Sequence, residues 1–503
     1  MKKLTNWLRW FDDNILKILL IGYIFIIPLY PKFPLRLIEY TYIAIRVDDL
    51  ITCLIAAVFF LQLIRGKVQI DKKFAVLFCA FWAAVFASFA VGYFLQGSIR
   101  QQLMQVSLLH SMRRVQYMLF FFVAYTTVKK KEDLFLYLRL ISIVLCVVVL
   151  YGIGQKFFGL PAVQTMNPAF AKGQLLYLTP EARISSTFGG HYDLAAYLVL
   201  LIPLIFSLYF YTKNKLYYIT GVLAIFALTL TASRISFGAY VISIIPFLLY
   251  IKKYKHLVFI IVLTAAMTFL SQNLTSRFLQ TFQIKTIFVN EKTGRSVLPQ
   301  NISTKELPAG NAYVEIPGQD QDSIIVNKET AELVKDHVRD QVIREASAAG
   351  RQLTTAEIDE LTSTLSAGLK PVQTVSTDIS SATRLQVEWP RAIKAFLRNP
   401  LFGTGPASIT EATDNDYLRW LGEFGLVGTG IFLYIIYSIV YPFFLESRKK
   451  NSMAMVYSGV LFGIFALLIN ASYIDVFEAS KVAYHFWLLA GIFTATRELK
   501  HSA

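Results

Sequence analysis

The chain has 503 residues, of which 55% are hydrophobic, and a formal net charge of +16. The hydrophobic residues come in runs long enough to cross a bilayer, which takes about 20 residues per helix. This pattern excludes an ordinary soluble domain and predicts an all-α polytopic membrane protein. The basic residues lie in short loops between the runs, which explains the charge without nucleic acid. The three cysteines lie within apolar runs, so no disulfide framework and no thiolate metal site is predicted.

The apolar runs predict about twelve transmembrane helices. Their expected bounds in chain order are 14–31, 48–64, 74–95, 109–128, 133–157, 189–211, 216–232, 234–251, 256–272, 417–445, 453–472 and 479–496. Basic residues concentrate at both termini and in every second loop, so the positive-inside rule puts both termini in the cytoplasm. In this topology residues 158–188, 232–234 and 273–416 lie on the extracytoplasmic side.

The long outer segment predicts a small α+β insert. Residues 284–326 contain short β-prone runs that Gly, Pro and Asn interrupt. Residues 328–348 are predicted to be a helix, because their apolar residues share one helical face. A second short helix is predicted at 355–368, directly after a capping-box residue. The Ser/Thr-rich residues 369–383 are interpreted as a linker.

Two local motifs lie in this insert. Thr354 and Glu357 have the spacing of a helix capping box. Asp320 and Asp322 resemble a metal-binding Asp-x-Asp pair, but a solvated turn is the favoured interpretation in this Gly- and Gln-rich loop. The expected domains are a membrane domain with spans 1–9 at 1–272, the extracytoplasmic insert at 273–383, an interfacial helix and motif loop at 384–416, and spans 10–12 at 417–503.

Residues 384–428 are predicted to return the chain from the insert to the membrane. Helical spacing puts four apolar side chains on one stripe of a short helix: Trp389, Ile393, Phe396 and Leu397. Asn399-Pro400 ends this helix, because proline disfavours helical geometry in the residue before it. A tight turn is expected at 403–406. Asp414 and Asn415 are in position to cap the next helix.

Some arginines at or within predicted spans need an explanation. Arg234 begins the eighth span directly after a very short outer turn. A span-end arginine is usually a snorkelling anchor. However, the positive-inside rule disfavours arginine on the outer side, so an anionic ligand is the alternative explanation. Arg113 and Arg114 lie in the outer half of the fourth span, where unpaired charge is costly, and are functional candidates for that reason.

Arg183 precedes a glycine-rich helix start that contains Gly189, Gly190 and His191. A guanidinium group binds phosphate oxygens in a bidentate way. The two glycines would let backbone N–H groups approach an anion at the helix N-terminus. An ordinary surface arginine is the alternative. His191 is a candidate base or hydrogen-bonding group, although a histidine at a helix start is more often structural.

The last charged cluster surrounds the motif loop. Arg384, Arg391 and Arg398 are seven residues apart, so one α-helical face would hold all three. They are expected either to bind an anionic substrate or to rest on lipid headgroups. Asp414 is either a functional carboxylate or only a helix N-cap. Glu423 lies inside a span and is expected to face the bundle or to pair with an arginine.

The predicted topology brings residues from distant parts of the chain to one boundary. Five of them are expected at the outer membrane–water interface: Arg183, His191, Arg234, Arg384 and Asp414. Several arginines and one carboxylate suit a lipid-linked pyrophosphate and an acceptor hydroxyl.

Three motifs contain these residues. They are RISSTFGGHYDLAAYL from Arg183, TASRISFGAY around Arg234, and RLQVEWPRAIKAFLRNPLFGTG…DNDYLRWLGEFGLVG from Arg384. In this order they resemble the motifs of the O-antigen ligase and Wzy-type O-antigen polymerase superfamily of bacterial membrane glycosyltransferases. The resemblance covers about residues 180–430. One departure is Asp414, which stands where the ligases have a histidine, and the insert at 284–383 has no counterpart in the family.

The resemblance implies a GT-C-type fold in the cytoplasmic (inner) membrane, with the active site on the extracytoplasmic face. It implies an inverting, metal-independent glycosyltransferase without a cofactor, in which Arg183, Arg234 and Arg384 hold pyrophosphate and Asp414 is the base. The donor would be an undecaprenyl-pyrophosphate-linked oligosaccharide, and the acceptor a glycan or a lipid. His191, Arg391, Arg113, Arg114 and Glu423 are additional site candidates.

The aspartate at 414 favours a polysaccharide polymerase over a ligase that transfers glycan to a lipid or protein acceptor. A polymerase would work among membrane lipids, with a chain-length regulator as a further partner. A transporter or flippase of the same lipid-linked glycan is the alternative of another class, with the arginines used for binding alone.

Overall fold

A computed structural model describes residues 2–37, 44–165, 171–179, 182–270, 282–290, 296–297, 328–348, 353–367, 369–377, 384–409 and 413–499. In these ranges the chain is mostly helical. The α-helices are α1 Lys2–Leu29, α2 Val47–Ile64, α3 Lys72–Ala90, α4 Met104–Thr127, α5 Lys131–Phe157, α6 His191–Thr212, α7 Lys215–Leu230, α8 Arg234–Tyr250, α9 Tyr254–Leu270, α10 Lys328–Ala348, α11 Thr355–Ala367, α12 Trp389–Arg398, α13 Asp416–Ser447, α14 Ser452–Asn470 and α15 Ser480–Leu499. The strands are β1 Pro34–Leu37, β2 Ala44–Arg46, β3 Phe282–Asn290, β4 Ser296–Val297 and β5 Leu369–Thr377.

The chain divides into two compact units. The membrane unit comprises Met1–Thr275 and Arg391–Ala503, and the insert unit comprises Ser276–Pro390. Each of the twelve apolar runs coincides with a helix of the membrane unit. Among the described residues, six helical segments are long and apolar enough to cross a membrane: Val47–Ile64, Lys72–Leu95, Lys131–Phe157, His191–Thr212, Asp416–Ser447 and Ser452–Asn470. The helices α7, α8 and α9 are apolar but shorter, and the count of twelve spans stays a prediction.

Helix α6 lies in the centre of the membrane unit. Its sequence is apolar on every side, and a helix of this kind is buried by its neighbours. Helix α14 packs directly against it through Gly459 and Gly463, which are one helical turn apart. An added Cβ at these positions would lie 2.2 Å from Ser207 Oγ and 2.1 Å from the Leu200 carbonyl oxygen. The small residues therefore let two backbones approach closely, as in other membrane helix pairs.

Helices α4 and α15 form a more polar pair inside the same unit. They approach so closely that a Cβ at Gly491 would lie 2.2 Å from the Phe121 carbonyl oxygen. Arg114 on α4 and Lys481 on α15 are both buried. Buried charges of this kind lower the apolar character of a helix, and in membrane proteins they mark functional or structural polar networks.

The insert unit combines helices with a three-stranded sheet of order β4-β3-β5. Strand β3 pairs antiparallel with β5 along its whole length, from Phe282 opposite Thr377 to Asn290 opposite Leu369. The α+β character predicted for the insert is therefore observed in its described residues. The interpretation of 369–383 as a linker is wrong for 369–377, because these residues form β5. Their β-branched residues suit a strand, but the pairing partner lies far away in the sequence.

The two predicted helices of the insert are confirmed as Lys328–Ala348 and Thr355–Ala367. The capping box is confirmed as well: the Thr354 N–H donates to Glu357 Oε2 at 2.7 Å, and the Glu357 N–H donates to Thr354 Oγ1 at 3.4 Å. The Asp320–Asp322 pair and most of the β-prone run at 284–326 lie outside the described residues.

Candidate functional site

The motif loop, which follows α12 from residue 399, is bound to α13 at a break in that helix. Gly425 has a φ of 62° inside this helix, a left-handed conformation that favours glycine. The interruption leaves backbone N–H groups without partners inside the helix, and these groups bind carbonyls of the motif loop. The Leu426 and Val427 N–H groups donate to the carbonyls of Pro400 and Leu401 at 2.8 and 3.1 Å. The Pro-Leu-Phe-Gly segment and the Glu-x-Gly-Leu segment of the third motif therefore form one backbone-to-backbone contact.

Two glycines make this contact possible. A Cβ at Gly403 would lie 2.4 Å from the carbonyl carbon and oxygen of Glu423. A Cβ at Gly425 would lie 2.4 Å from the same atoms of Leu401. Gly403 also has a φ of 69°. The glycines of this motif thus meet a local packing requirement, independently of any ligand.

Glu423 connects this turn to a buried cluster of charges. Its Oε1 accepts from the Ala407 N–H at 3.0 Å and from Arg419 Nε at 3.2 Å, and its Oε2 accepts from Arg114 at 2.9 Å. The side chain is completely buried. The expectation that Glu423 pairs with an arginine is met by two arginines, one on α4 and one on α13.

The same arginines bind two carboxylates of the turn between α14 and α15. Arg114 contacts Glu478 at 2.6 Å, and Arg419 contacts Asp475 at 2.9 Å. Burial raises the pKa of the Glu478 carboxyl, but Arg114 and Arg419 more than offset it, so this pKa lies well below its ordinary value. Glu478 is therefore an anion at neutral pH, and the cluster pairs two guanidinium groups with several carboxylates.

Asp414 lies directly before α13. The helix N-cap is Asn415, whose side chain accepts from the Leu418 N–H at 3.0 Å, so the N-cap role belongs to Asn415. Asp414 has a φ of 51°, a left-handed conformation that aspartate and asparagine tolerate better than most residues. The residues on both sides of it are anchored to Asp475: Thr413 N–H donates at 2.8 Å and Asn415 N–H at 3.0 Å.

The Arg183 motif forms a second, separately anchored turn. The Gln155 side chain accepts from the Ser186 N–H at 2.7 Å and donates to the Ser186 carbonyl at 2.8 Å. Lys481 donates to the carbonyls of Thr187, Pro28 and Tyr30 at 2.7–3.0 Å. Its ammonium group also lies 4.8 Å from the centre of the Phe188 ring.

Within this turn Arg183 donates to Nε2 of His191, the first residue of α6. Because arginine has no acceptor, this contact requires a neutral His191 with its proton on Nδ1. The basic nitrogen of His191 is thus already used, which reduces its suitability as a base. Lys32 lies against the same turn, since a Cβ at Gly189 would be 3.2 Å from its Cδ.

Arg234 is the first residue of α8 and follows a tight turn in which Ala232 has a φ of 48°. Hydrogen bonds connect the segments that contain Arg183, Arg234 and Asp414, the last two through the end of α14. The Ile184 N–H donates to the Leu230 carbonyl at 3.4 Å, immediately before the Arg234 turn. Ser236 Oγ contacts Asn470 at 3.2 Å, and the Asp416 N–H donates to the next carbonyl, that of Ala471, at 2.9 Å. The structure therefore brings these three predicted segments together at one end of the membrane unit.

The other predicted residues have different surroundings. Arg113 donates to the Ala44 carbonyl at 3.3 Å and lies 3.9 Å from Asp49, apart from the Arg114 cluster. Arg391 is exposed on α12. Arg384 belongs to the insert unit and begins a π-helical turn, Arg384–Glu388. The single α-helical face expected for Arg384, Arg391 and Arg398 is therefore interrupted, because a π-turn has a different residue spacing.

Sequence reasoning missed Arg419, Asp475, Glu478 and Lys481. Arg419 lies one helical turn before Glu423, and this spacing alone predicts an ion pair. The other three lie in a short run, DVFEASK, at the start of the last span. Charges at the edge of an apolar run are a usable signal, but their partners come from distant helices. In the part of the chain that the structure describes, no group of three or more His, Cys, Asp or Glu side chains is arranged to hold a metal ion.

Comparison with known proteins gives one family match. A family model described as O-antigen ligase matches residues 219–433, which include Arg234, the motif loop, Asp414 and Glu423. No curated protein matches the chain. Together with the apolar helices, the match supports a multi-pass membrane protein and suggests a glycan-transferring class. Residues 219–433 thus match the O-antigen ligase family model, which supports the resemblance of the motifs to the O-antigen ligase and Wzy-type superfamily.

Proposed function

We propose that this protein is an inverting membrane glycosyltransferase that polymerises undecaprenyl-pyrophosphate-linked glycan. The proposal rests on the hydrogen bonds that connect the Arg183 segment to the turn before Arg234, and the Arg234 and Asp414 segments to the adjacent residues Asn470 and Ala471. Arg234 and Asp414 both lie within the region that the O-antigen ligase family model matches. Two arginines suit an anionic leaving group, and a carboxylate at the same end of the membrane unit suits an acceptor hydroxyl.

In the proposed reaction the acceptor hydroxyl oxygen attacks the anomeric carbon of the donor sugar from the side opposite the pyrophosphate. A new glycosidic C–O bond forms, the bond from the anomeric carbon to pyrophosphate breaks, and the electron pair leaves with undecaprenyl pyrophosphate. Asp414 accepts the hydroxyl proton. Arg183 and Arg234 stabilise the charge that develops on the leaving group, so the positive charge comes from guanidinium groups. The resemblance assigns the same role to Arg384.

His191 is a weaker candidate for the base than Asp414, because its Nε2 accepts from Arg183. Arg114 and Glu423 support the fold of the site through their ion pair, while Arg113 and Arg391 remain additional candidates for substrate binding. A carboxylate can take the proton that the histidine of the ligases takes, because both are general bases near neutral pH.

The proposed setting is the outer face of the cytoplasmic membrane, with twelve spans in a GT-C-type fold and both termini in the cytoplasm. In this arrangement the insert at 273–383 is extracytoplasmic. In the sequence it follows a membrane domain at 1–272 and precedes the segments 384–416 and 417–503. The insert is available to guide the growing glycan or to contact a chain-length regulator.

A ligase is the second candidate, because the family model that matches is described as O-antigen ligase. It would transfer the glycan to a lipid or protein acceptor with the same site. The presence of aspartate at position 414 favours the polymerase, since the ligases of the family have a histidine there.

The polymerase and ligase reactions differ in whether they require a separate acceptor. Purified protein is incubated with lipid-linked repeat units alone and then with a separate lipid acceptor. We expect longer lipid-linked glycans from the repeat units alone. Transfer only after the acceptor is added would identify a ligase. Movement of the lipid-linked glycan across vesicles without any new glycosidic bond would contradict the enzyme proposal and indicate a transporter.

A further inference from the structure

One carboxylate holds the backbone on both sides of Asp414. The two oxygens of Asp475 accept separately: Oδ2 from the Thr413 N–H at 2.8 Å and Oδ1 from the Asn415 N–H at 3.0 Å. The residue between these two N–H groups is Asp414. A carboxylate is well suited to this task, because both of its oxygens are acceptors and neither is a donor.

Asp475 is itself fixed by its partner on α13. Arg419 Nη1 donates to Asp475 Oδ2 at 2.9 Å, and its Nε donates to Glu423 at 3.2 Å. The side chains of Arg419 and Asp475 are 1% and 11% exposed, so water screens this ion pair little. The carboxylate that holds the Asp414 turn thus has a fixed position relative to the motif loop.

The turn needs such support, because Asp414 adopts a left-handed conformation. A non-glycine residue in this region usually persists only where its surroundings impose it. The Asn415 side chain adds a contact to the Ser472 carbonyl at 2.8 Å, within the same turn as Asp475. These contacts fix the backbone from which the Asp414 side chain projects.

We propose that Asp475 is a positioning residue for the Asp414 carboxylate in glycan transfer, acting through the Thr413 and Asn415 N–H groups. The inference rests on the proposed function, in which Asp414 accepts the hydroxyl proton. A small displacement of a base reduces the rate of proton transfer without altering the groups that hold the pyrophosphate. Asp475 therefore acts on kcat, and donor binding is left to the arginines.

The test is the pair Asp475→Asn and Asp475→Glu in the full-length purified protein, with lipid-linked repeat units as donor. An asparagine keeps one acceptor oxygen but turns an NH2 group toward a second N–H donor. We expect kcat to fall by about 100-fold, with the donor KM within about twofold of wild type. The glutamate variant keeps the charge and both oxygens, and its kcat is expected to lie between the two.

Asp133→Asn is the matched control. Asp133 also accepts from two backbone N–H groups, those of Lys129 and Lys130 at 3.0 Å each, and it is also paired with a basic side chain, Lys17. This carboxylate is not part of the proposed site. We expect Asp133→Asn to lower thermal stability to a similar extent as Asp475→Asn but to leave kcat unchanged.

Three results would overturn the inference: wild-type kcat in Asp475→Asn, equal kcat losses in Asp475→Asn and Asp133→Asn, or a loss of Asp475→Asn activity that lies entirely in the donor KM. If Asp475→Asn fails to fold, wild-type kcat in Asp475→Glu overturns it instead. Full activity in Asp414→Ala would remove the proposed base together with its positioning residue. Inactive Asp414→Ala beside fully active Asp475→Asn would contradict the positioning role alone.

Discussion

Glu423 is a single side chain on which several distant parts of the membrane unit depend. It is completely buried and bound to Arg114 of α4, Arg419 of α13 and the Ala407 N–H of the motif loop. A buried ion pair contributes little net stability, but removal of one partner leaves the other charge unpaired. Removal of the Glu423 carboxylate is therefore expected to destabilise the protein more than its ion pairs stabilise it.

We predict that Glu423→Gln destabilises the protein by about 3 kcal/mol, because two buried guanidinium groups lose a shared anion. The measurement is thermal unfolding in detergent, followed by tryptophan fluorescence. Asp13→Asn is the control, since Asp13 is 56% exposed and pairs only with Lys67 among the described residues. Its effect should stay below about 1 kcal/mol. Equal effects for the two variants would contradict this account.

Some charged residues of the buried cluster could be predicted from the sequence, and others could not, for a physical reason. Glu423 and Arg114 were identifiable because a charge inside an apolar run is costly and needs a partner. Asp475 and Lys481 stand at the edge of a run, where charges are common. Their importance comes from backbone N–H and carbonyl groups of other segments, and a backbone partner leaves no mark in the sequence.

Among the helices and turns, the break in α13 has the largest effect on the motif loop. It lets the motif loop bind the helix through backbone groups on both sides of Gly425. An uninterrupted helix would use those groups internally and leave the loop without partners. The helix break thus fixes the motif loop, and Ala407 in that loop contacts Glu423.

We predict that Gly425→Ala lowers both stability and glycan transfer, since it adds a Cβ in a left-handed backbone, 2.4 Å from the Leu401 carbonyl. Gly430→Ala is the matched control in the same helix. A Cβ at Gly430 meets nothing within 4 Å, so this substitution should be neutral or stabilise by up to about 1 kcal/mol. Thermal unfolding and the transfer assay check both variants. Equal destabilisation would refute the backbone contact.

Helices were more predictable than strands in this chain. Long apolar runs and proline or glycine at their ends located most membrane-unit helices close to their observed bounds, because these signals are local. The helix α1 is an exception, since it begins at Lys2 and not at the predicted residue 14. Strand β5 was mistaken for a linker, because it depends on β3, which precedes it by a long stretch of chain. The π-helical turn at Arg384–Glu388 was missed for a different reason, since spacing rules assume a regular α-helix.

In the whole molecule, apolar surface indicates which helices face lipid, and charge predicts the orientation in the membrane. The central α6 is enclosed by other helices, whereas several side chains of α2 and α9 are exposed and apolar, including Ile64 and Val258. Exposed apolar helix surfaces suit lipid. The distribution of basic residues then predicts the orientation in the membrane, which helix packing alone does not determine.

This orientation is open to a labelling test. Cysteines are introduced singly as Lys130→Cys and Glu360→Cys in a chain whose Cys53, Cys79 and Cys146 have been replaced by serine. Both positions are exposed. We predict that a membrane-impermeant maleimide labels position 360 in intact spheroplasts and position 130 only after permeabilisation. The reverse pattern would put the insert in the cytoplasm and contradict the proposed outer active site.

In the proposed reaction, the Asp414 carboxylate accepts the proton of the attacking hydroxyl. The most direct measurement is the rate of glycosidic-bond formation by purified Asp414→Asn with lipid-linked repeat units, beside donor affinity measured on the same sample. We predict a rate lower by about 1,000-fold with donor affinity unchanged, because the amide cannot accept the proton. A wild-type rate in Asp414→Asn would contradict it.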